Sequence, residues 1–329
     1  MTELEHWSFP ERLQPRQPDL RFDLQAALDA VVLLRAEVPD DAFTAGILGT
    51  ERIGSGVVIR DDGLVLTIGY LITEAQSVWL TANDGRVVQG HPVAFDQATG
   101  FGLVLPLGKL DLPVMPRGSA ASIDVDDDVL VIGHGGRAHA LRARISGKRE
   151  FAGYWEYLLD EAVFTAPAHP QWSGAALVGA DGKLLGIGSL LVGEGQTAES
   201  TEGKSAEGNM FVPIDLLEPI LDDLLRYGRS ARVARPWLGM YTTELNGQLV
   251  VHGLARGGPA DRAGVRLGDA VLEVAGRRVA TLSELFRNVW RLGPIGTEVP
   301  LTLAHKGAVK RIQIRSGDRS DYLKKPQLH

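Results

Sequence analysis

The chain has 329 residues, 44% hydrophobic and 23% charged, with Gly 39 and Pro 17, an ordinary globular composition with length enough for two domains. It contains no cysteine, which excludes disulfide frameworks, thiolate zinc sites and cysteine nucleophiles together. The net charge of -7 is uneven: residues 1–235 carry 20 Lys and Arg against 33 Asp and Glu, and residues 236–329 carry 14 against 8. An acidic body argues against a general nucleic-acid binder. A basic end either suits acidic peptides or is scattered, solvated charge.

Residues 1–22 are polar, with Pro10, Pro15 and Pro18, and read as an extended arm. Met1–Glu37 has no basic start followed by an apolar run, so the expectation is a cytoplasmic protein, or a periplasmic one if the start is misassigned. No stretch approaches the roughly 20 apolar residues of a spanning helix, which predicts no membrane association.

A short helix is expected within Phe22–Leu34, then a strand near Val31–Val38. From Ile53 the pattern is β: strands around 56–59 and Leu64–Ile68, a hairpin through Asn83-Asp84-Gly85-Arg86 into Val87–Phe95, and a buried strand at Phe101–Leu107. Asp124–Asp128 holds four carboxylates in five residues and reads as a solvated turn before Val129–Gly133 rather than a metal site. Strands follow at Ala138–Gly147, Tyr157–Thr165, Ala175–Gly179 and Leu184–Val192. A polar loop over 193–208 then leads to Met210–Pro213. Short strands at regular spacing predict an all-β barrel or sandwich. Ile214–Tyr227 has one apolar stripe and Gly228 behind it, the marks of a helix. Past the basic stretch 229–235, a small α+β module reads as strands at Gly247–Leu254, Ala270–Val274, Val299–Leu303 and Lys310–Ile314. Its helices are Ala260–Ala263 and Leu282–Leu292, the latter capped by Thr281 or Ser283.

The most informative peptide is Gln171-Trp172-Ser173-Gly174-Ala175-Ala176-Leu177. A serine before glycine on a tight turn presents its hydroxyl and aims backbone N–H groups at a developing oxyanion. Alone it is also a common turn. Its surroundings are more specific: Gly54-Ser55-Gly56-Val57-Val58-Ile59, Asp181–Gly188, Met210–Asp215, Arg235–Met240 and Pro259–Asp269. Taken in order, these resemble the HtrA/DegP family of trypsin-fold serine proteases with a C-terminal PDZ domain. The resemblance covers about residues 27–317. It implies a mainly β fold: a trypsin-like double β-barrel over 23–228, a linker at 229–235, an α+β PDZ domain over 236–317 and a tail at 318–329.

The same resemblance shows what has changed. Tyr70 stands at the family's histidine position and Gly100 at its aspartate position, and only the serine, Ser173, remains. The glycine two before the serine has become Gln171. A serine hydroxyl is a poor nucleophile without an adjacent base, and a phenol of pKa ~10 is a poor proton acceptor at pH 7. His169 and Asp96 are the candidates for a relocated base and acid, each otherwise a turn residue. His134 and His139, five apart, make an unconvincing metal pair. No metal and no cofactor is expected. In the PDZ module, Trp237-Leu238-Gly239-Met240 matches the loop whose N–H groups receive a peptide carboxylate, and Leu285, Phe286 and Val289 line an apolar pocket or simply form core.

The expected function is therefore an HtrA-like pseudoprotease that binds polypeptide segments or protein C-termini through its PDZ groove. The alternatives are an active serine endopeptidase using Ser173 with a displaced base, and an oligomer partner of an active paralogue. The resemblance implies a homo-oligomer, a trimer by family pattern. Trp7, Phe9 and Phe22 are either its aromatic anchors or packing on the chain's own barrel.

Overall fold

The computed structural model describes residues 7–193 and 207–324; most of the loop expected over 193–208 and both chain ends lie outside them. Two compact units form. One comprises Met1–Arg149, Glu161–Ala231 and Lys324–His329, the other Glu150–Asp160 and Arg232–Leu323.

In the first unit, six strands close a barrel: β1 (Val31–Glu37), β2 (Glu51–Val58), β3 (Val65–Ile68), β4 (Ser77–Thr81), β5 (Val87–Phe95) and β6 (Phe101–Pro106), in the order β1-β2-β3-β6-β5-β4. Closure leaves no sheet edge to protect. Leu34, Leu66, Ile68, Leu80, Phe101 and Leu103 are completely buried there. A second barrel follows from β7 (Asp128–Ile132), β8 (Ala140–Gly153), β9 (Tyr157–Ala166), β10 (Ala176–Val178), β11 (Leu184–Val192) and β12 (Gly208–Pro213), in the order β10-β11-β12-β9-β8-β7. Its core is Val131, Leu141, Ile145, Val163, Leu177 and Phe211. The mainly β, double-barrel expectation is met.

Two local readings are corrected. The helix expected over 214–227 is a 3-10 turn at Ile214–Leu216 and then an α-helix at Glu218–Tyr227. Pro219, which has no N–H, is tolerated only at a helix start. Asp215 belongs to the turn and accepts from the Ala120 N–H at 2.7 Å and the Ser119 hydroxyl. The strand expected to end at Gly147 runs on to Gly153. Its far end and the turn after it group with the second unit, which interrupts the expected domain over 23–228. The physical reason is burial: Leu158 is 5% exposed within the second unit's core.

That second unit holds β13 (Met240–Leu245), β14 (Gln248–Leu254), β15 (Ala270–Val274), β16 (Arg277–Arg278), β17 (Glu298–His305) and β18 (Ala308–Arg315). The sheet order is β13-β14-β15-β17-β18, with β16 beside β15. The turn from β13 to β14 is Asn246-Gly247, both at positive φ (51° and 72°), as a tight two-residue hairpin requires. The helix Leu282–Trp290 buries Leu282, Leu285, Phe286 and Val289 against this sheet. Thr281 is its cap: the Thr281 hydroxyl accepts from the Glu284 N–H, and the Glu284 carboxylate reaches back to the Thr281 N–H.

Candidate functional site

Ser173 lies on the tight turn leading into β10. The turn closes through the Ala175 N–H donating to the Trp172 carbonyl at 3.1 Å. Gly174 adopts φ +74°, and a Cβ there would meet the Ser55 carbonyl oxygen at 1.9 Å, so no other residue fits. The Ser55 N–H on β2 donates to the Ser173 carbonyl at 2.8 Å. The serine is thereby fastened to both barrels.

Tyr70 sits in a 3-10 turn at Gly69–Leu71, directly after β3. Its backbone carbonyl accepts from the buried Arg52 guanidinium at 2.6 Å, and the same nitrogen also binds the Thr73 carbonyl at 2.8 Å. At the other end of the residue, Tyr70 Oη lies 2.8 Å from Ser173 Oγ and donates to the Ser189 carbonyl at 2.8 Å. A phenol has one proton. With that proton on Ser189, the bond to Ser173 runs the other way, from the serine hydroxyl to the phenol oxygen. Desolvation raises the Tyr70 pKa well above the ordinary phenol value, despite the bond to Ser173 that works against it. Tyrosinate, the one form of this side chain able to accept the serine proton, is therefore disfavoured further.

Gly100, at the expected acid position, is brought beside this turn. Ile68 pairs with Phe101 across β3 and β6, and the Gly69 N–H donates to the Gly100 carbonyl at 2.6 Å. Gly100 itself adopts φ +85° and carries no functional group. Asp96 does not substitute for it. One oxygen of its carboxylate accepts from the Thr99 N–H and hydroxyl, both at 2.8 Å, closing a local turn.

His169 is not a displaced base. It is fully buried. Its Nδ1 accepts from the Gln171 N–H at 3.0 Å, which leaves Nε2 to donate to the His139 carbonyl at 2.8 Å. Both nitrogens are committed to backbone groups in one neutral tautomer. Burial pushes its pKa down to about 4. The same bond has a consequence for the oxyanion. In serine-triad chemistry the N–H groups of the nucleophile and of the residue two before it bind the developing charge. Here the second of these, from Gln171, is turned onto His169. Trp7 and Phe9 pack edge-on against His169, with centroids at 5.7 and 5.0 Å. Trp7 and Phe9 thus pack on the chain's own barrel. Among the described residues, no cluster of His, Asp and Glu is arranged to hold a metal ion.

In the second unit, Leu238, Met240, Leu285, Phe286 and Val289 are all buried and line one small cavity of ≈ 10 Å³ together with Trp290 and Glu156. Gly239 adopts φ +69°, which turns three successive N–H groups to one side. Trp237 is not in the lining of that cavity. Its backbone bonds both ways with Gly317, and its ring lies against Tyr322 with centroids 4.8 Å apart. Sequence reasoning missed Arg52, the Ser189 carbonyl, Trp290 and Glu156. A buried arginine is legible only as an interruption in a strand pattern, and a backbone carbonyl leaves no signal.

Comparison with known proteins agrees with this geometry. Residues 54–187 match the trypsin-like peptidase domain family, and residues 236–315 match the PDZ domain family. The probable periplasmic serine endoprotease DegP-like of Halomonas elongata is 27% identical over 82% of this chain and 57% of its own length. The serine endoprotease DegS of Haemophilus influenzae is 25% identical over 81% and 77%. The chain thus spans little more than half of the DegP-like relatives. Among solved structures, the HtrA-type protease AlgW with decapeptide shares the fold at a TM-score of 0.53 and 22% identity, covering 92% of this chain and 99% of that one. The cytoplasmic expectation is overturned by the relatives from Halomonas elongata and Pseudomonas fulva, both named periplasmic. No helix among the described residues is long and apolar enough to cross a membrane. With a trypsin-like double barrel carrying Ser173 on the turn into β10, a PDZ module and relatives of that same build, this chain is similar to proteases of the HtrA/DegP type.

Proposed function

We propose that this chain is a catalytically silent member of the family that binds polypeptide C-termini through its PDZ module, and that it works in the periplasm, the compartment in its relatives' names. One observation carries the first part. The Ser173 hydroxyl donates to a phenol oxygen whose own proton is already given to the Ser189 carbonyl. A neutral phenol accepts a hydrogen bond but does not take a proton, so nothing at the site turns the hydroxyl into a nucleophile. The diverted Gln171 N–H and the bare Gly100 remove the oxyanion donor and the orienting carboxylate as well. Binding is supported by the Leu238–Met240 nest beside the apolar cavity, the two elements by which a C-terminal carboxylate and its side chain are captured. Assembly as a homo-oligomer is part of the same proposal.

Turnover of unfolded casein by the purified chain tests the catalytic part. It is expected to equal that of Ser173→Ala, and turnover that the substitution abolishes would overturn the reading. Gly239→Val tests the binding part. A Cβ at 239 meets Ala255 and the Trp237 ring at 3.0 Å, on a backbone with positive φ. The nest is expected to be lost and peptide binding with it.

A further inference from the structure

The turn between β8 and β9 is Tyr154–Glu156, and it is counted with the second unit. Glu156 adopts φ +61°, a backbone conformation that a residue with a side chain seldom takes without being held there. What holds it is the nest. One Glu156 carboxylate oxygen accepts from the Gly239 N–H at 2.7 Å and from the Leu238 and Met240 N–H groups at 3.2 Å each, while the other accepts from Leu238 at 3.1 Å. These are the donors that the proposed function assigns to a peptide's C-terminal carboxylate.

The rest of the segment packs on the module as well. Leu158, two residues on, is buried in the core formed by Leu238, Leu285, Phe286 and Val289, and Ala152 packs against the same cluster. Tyr154 meets Tyr241 and His252 edge-on, at 6.2 and 5.1 Å. Arg287, on the helix that lines the cavity, pairs with both Glu150 and Asp160. The Arg319 guanidinium donates to the Trp155 carbonyl at 3.2 Å. Glu150, Ala152, Tyr154, Trp155, Glu156, Leu158 and Asp160, seven of the eleven residues Glu150–Asp160, thus meet the module.

We propose that residues 150–160 are a resident pseudo-ligand, with the Glu156 side-chain carboxylate standing in for a peptide C-terminus, so that a polypeptide ending in an apolar residue binds only by displacing them. The inference rests on the peptide-binding reading and adds its regulation. Two observations make the resident displaceable. A glutamate side chain offers the nest only a carboxylate, whereas a peptide's last residue brings a carboxylate and an apolar side chain together, the latter to the face lined by Leu238, Leu285, Phe286 and Val289. Burial also raises the Glu156 carboxyl to about 7, against the three N–H donors and Arg319, which pull it down. Its desolvation is incompletely compensated, so a competing carboxylate meets a weakened incumbent.

The test uses the full chain, Glu156→Gly, which removes the carboxylate and relieves the positive φ, and Glu156→Gln, which keeps the size. The probes are fluorescent decapeptides ending in Ala, Val, Leu or Phe, each as free acid and as amide. The free acids are expected to bind Glu156→Gly at least tenfold more tightly than the parent, and the amides to show no gain. Hydrogen exchange at the Gly239 amide is the second readout, expected to be slow in the parent and at least tenfold faster in Glu156→Gly. Unchanged exchange overturns self-occupancy whatever the peptides do. Faster exchange with no free acid bound by any variant overturns the peptide-binding reading instead, and competition with it. Equal peptide affinity in parent and variants overturns the displacement.

Discussion

The Tyr70 hydroxyl relays two hydrogen bonds, and under the proposed function its value to the molecule is structural. Its hydroxyl satisfies the Ser189 carbonyl and gives the Ser173 hydroxyl an acceptor. Tyr70→Phe leaves both without that partner and is expected to lower stability by about 1–2 kcal/mol in urea unfolding, with no gain in turnover. Tyr70→His is expected to stay inactive as well. An imidazole at 70 faces no carboxylate at Gly100, and the Gln171 N–H remains on His169. Casein turnover above that of Ser173→Ala would contradict this. His169 gives a pH signature. Its native pKa of about 4 lies below the ordinary value of 6.5, so between the two the unfolded chain binds the proton that the native chain refuses. The stability it contributes is complete above pH 6.5 and is lost as the pH falls towards 4, by up to about 3 kcal/mol. Urea midpoints should therefore fall more steeply from pH 7 to pH 4 in the parent than in His169→Gln.

Among the elements, the strands were legible because one-sided burial writes itself as alternation, as in β8, and full burial as an apolar run, as in β6. The helix Leu282–Trp290 was legible from its apolar spacing, and Thr281 with Glu284 supplies its start. Thr281→Ala is expected to cost about 1 kcal/mol, measured as thermal stability of the second unit. Residues 150–160 were not legible. Phe151, Tyr154, Trp155 and Tyr157 read as an ordinary aromatic hairpin, and nothing local says that Glu156 meets N–H groups more than eighty residues away in sequence. A contact of that kind depends on tertiary placement, which neither propensity nor periodicity encodes. The start of the α-helix within 214–227 is set by Pro219, although the apolar stripe continues across it.

For the whole molecule, the two-barrel and PDZ framework was readable from residue order, and the proposed replacements at 70 and 100 rest on that same order, because each lies at a fixed offset from a strand end. The chemistry between them was not. Whether Tyr70 filled empty space or bound Ser173 depends on a 2.8 Å contact between residues 103 apart, built by two barrels that pack independently. That contact is where the account is most exposed. The decisive measurement is reaction of the purified, folded chain with a fluorophosphonate probe, read by mass spectrometry at Ser173 beside Ser173→Ala and an active DegP-type protease. The account predicts that the active protease is labelled and Ser173 is not. Stoichiometric labelling at Ser173, lost in Ser173→Ala, would contradict it.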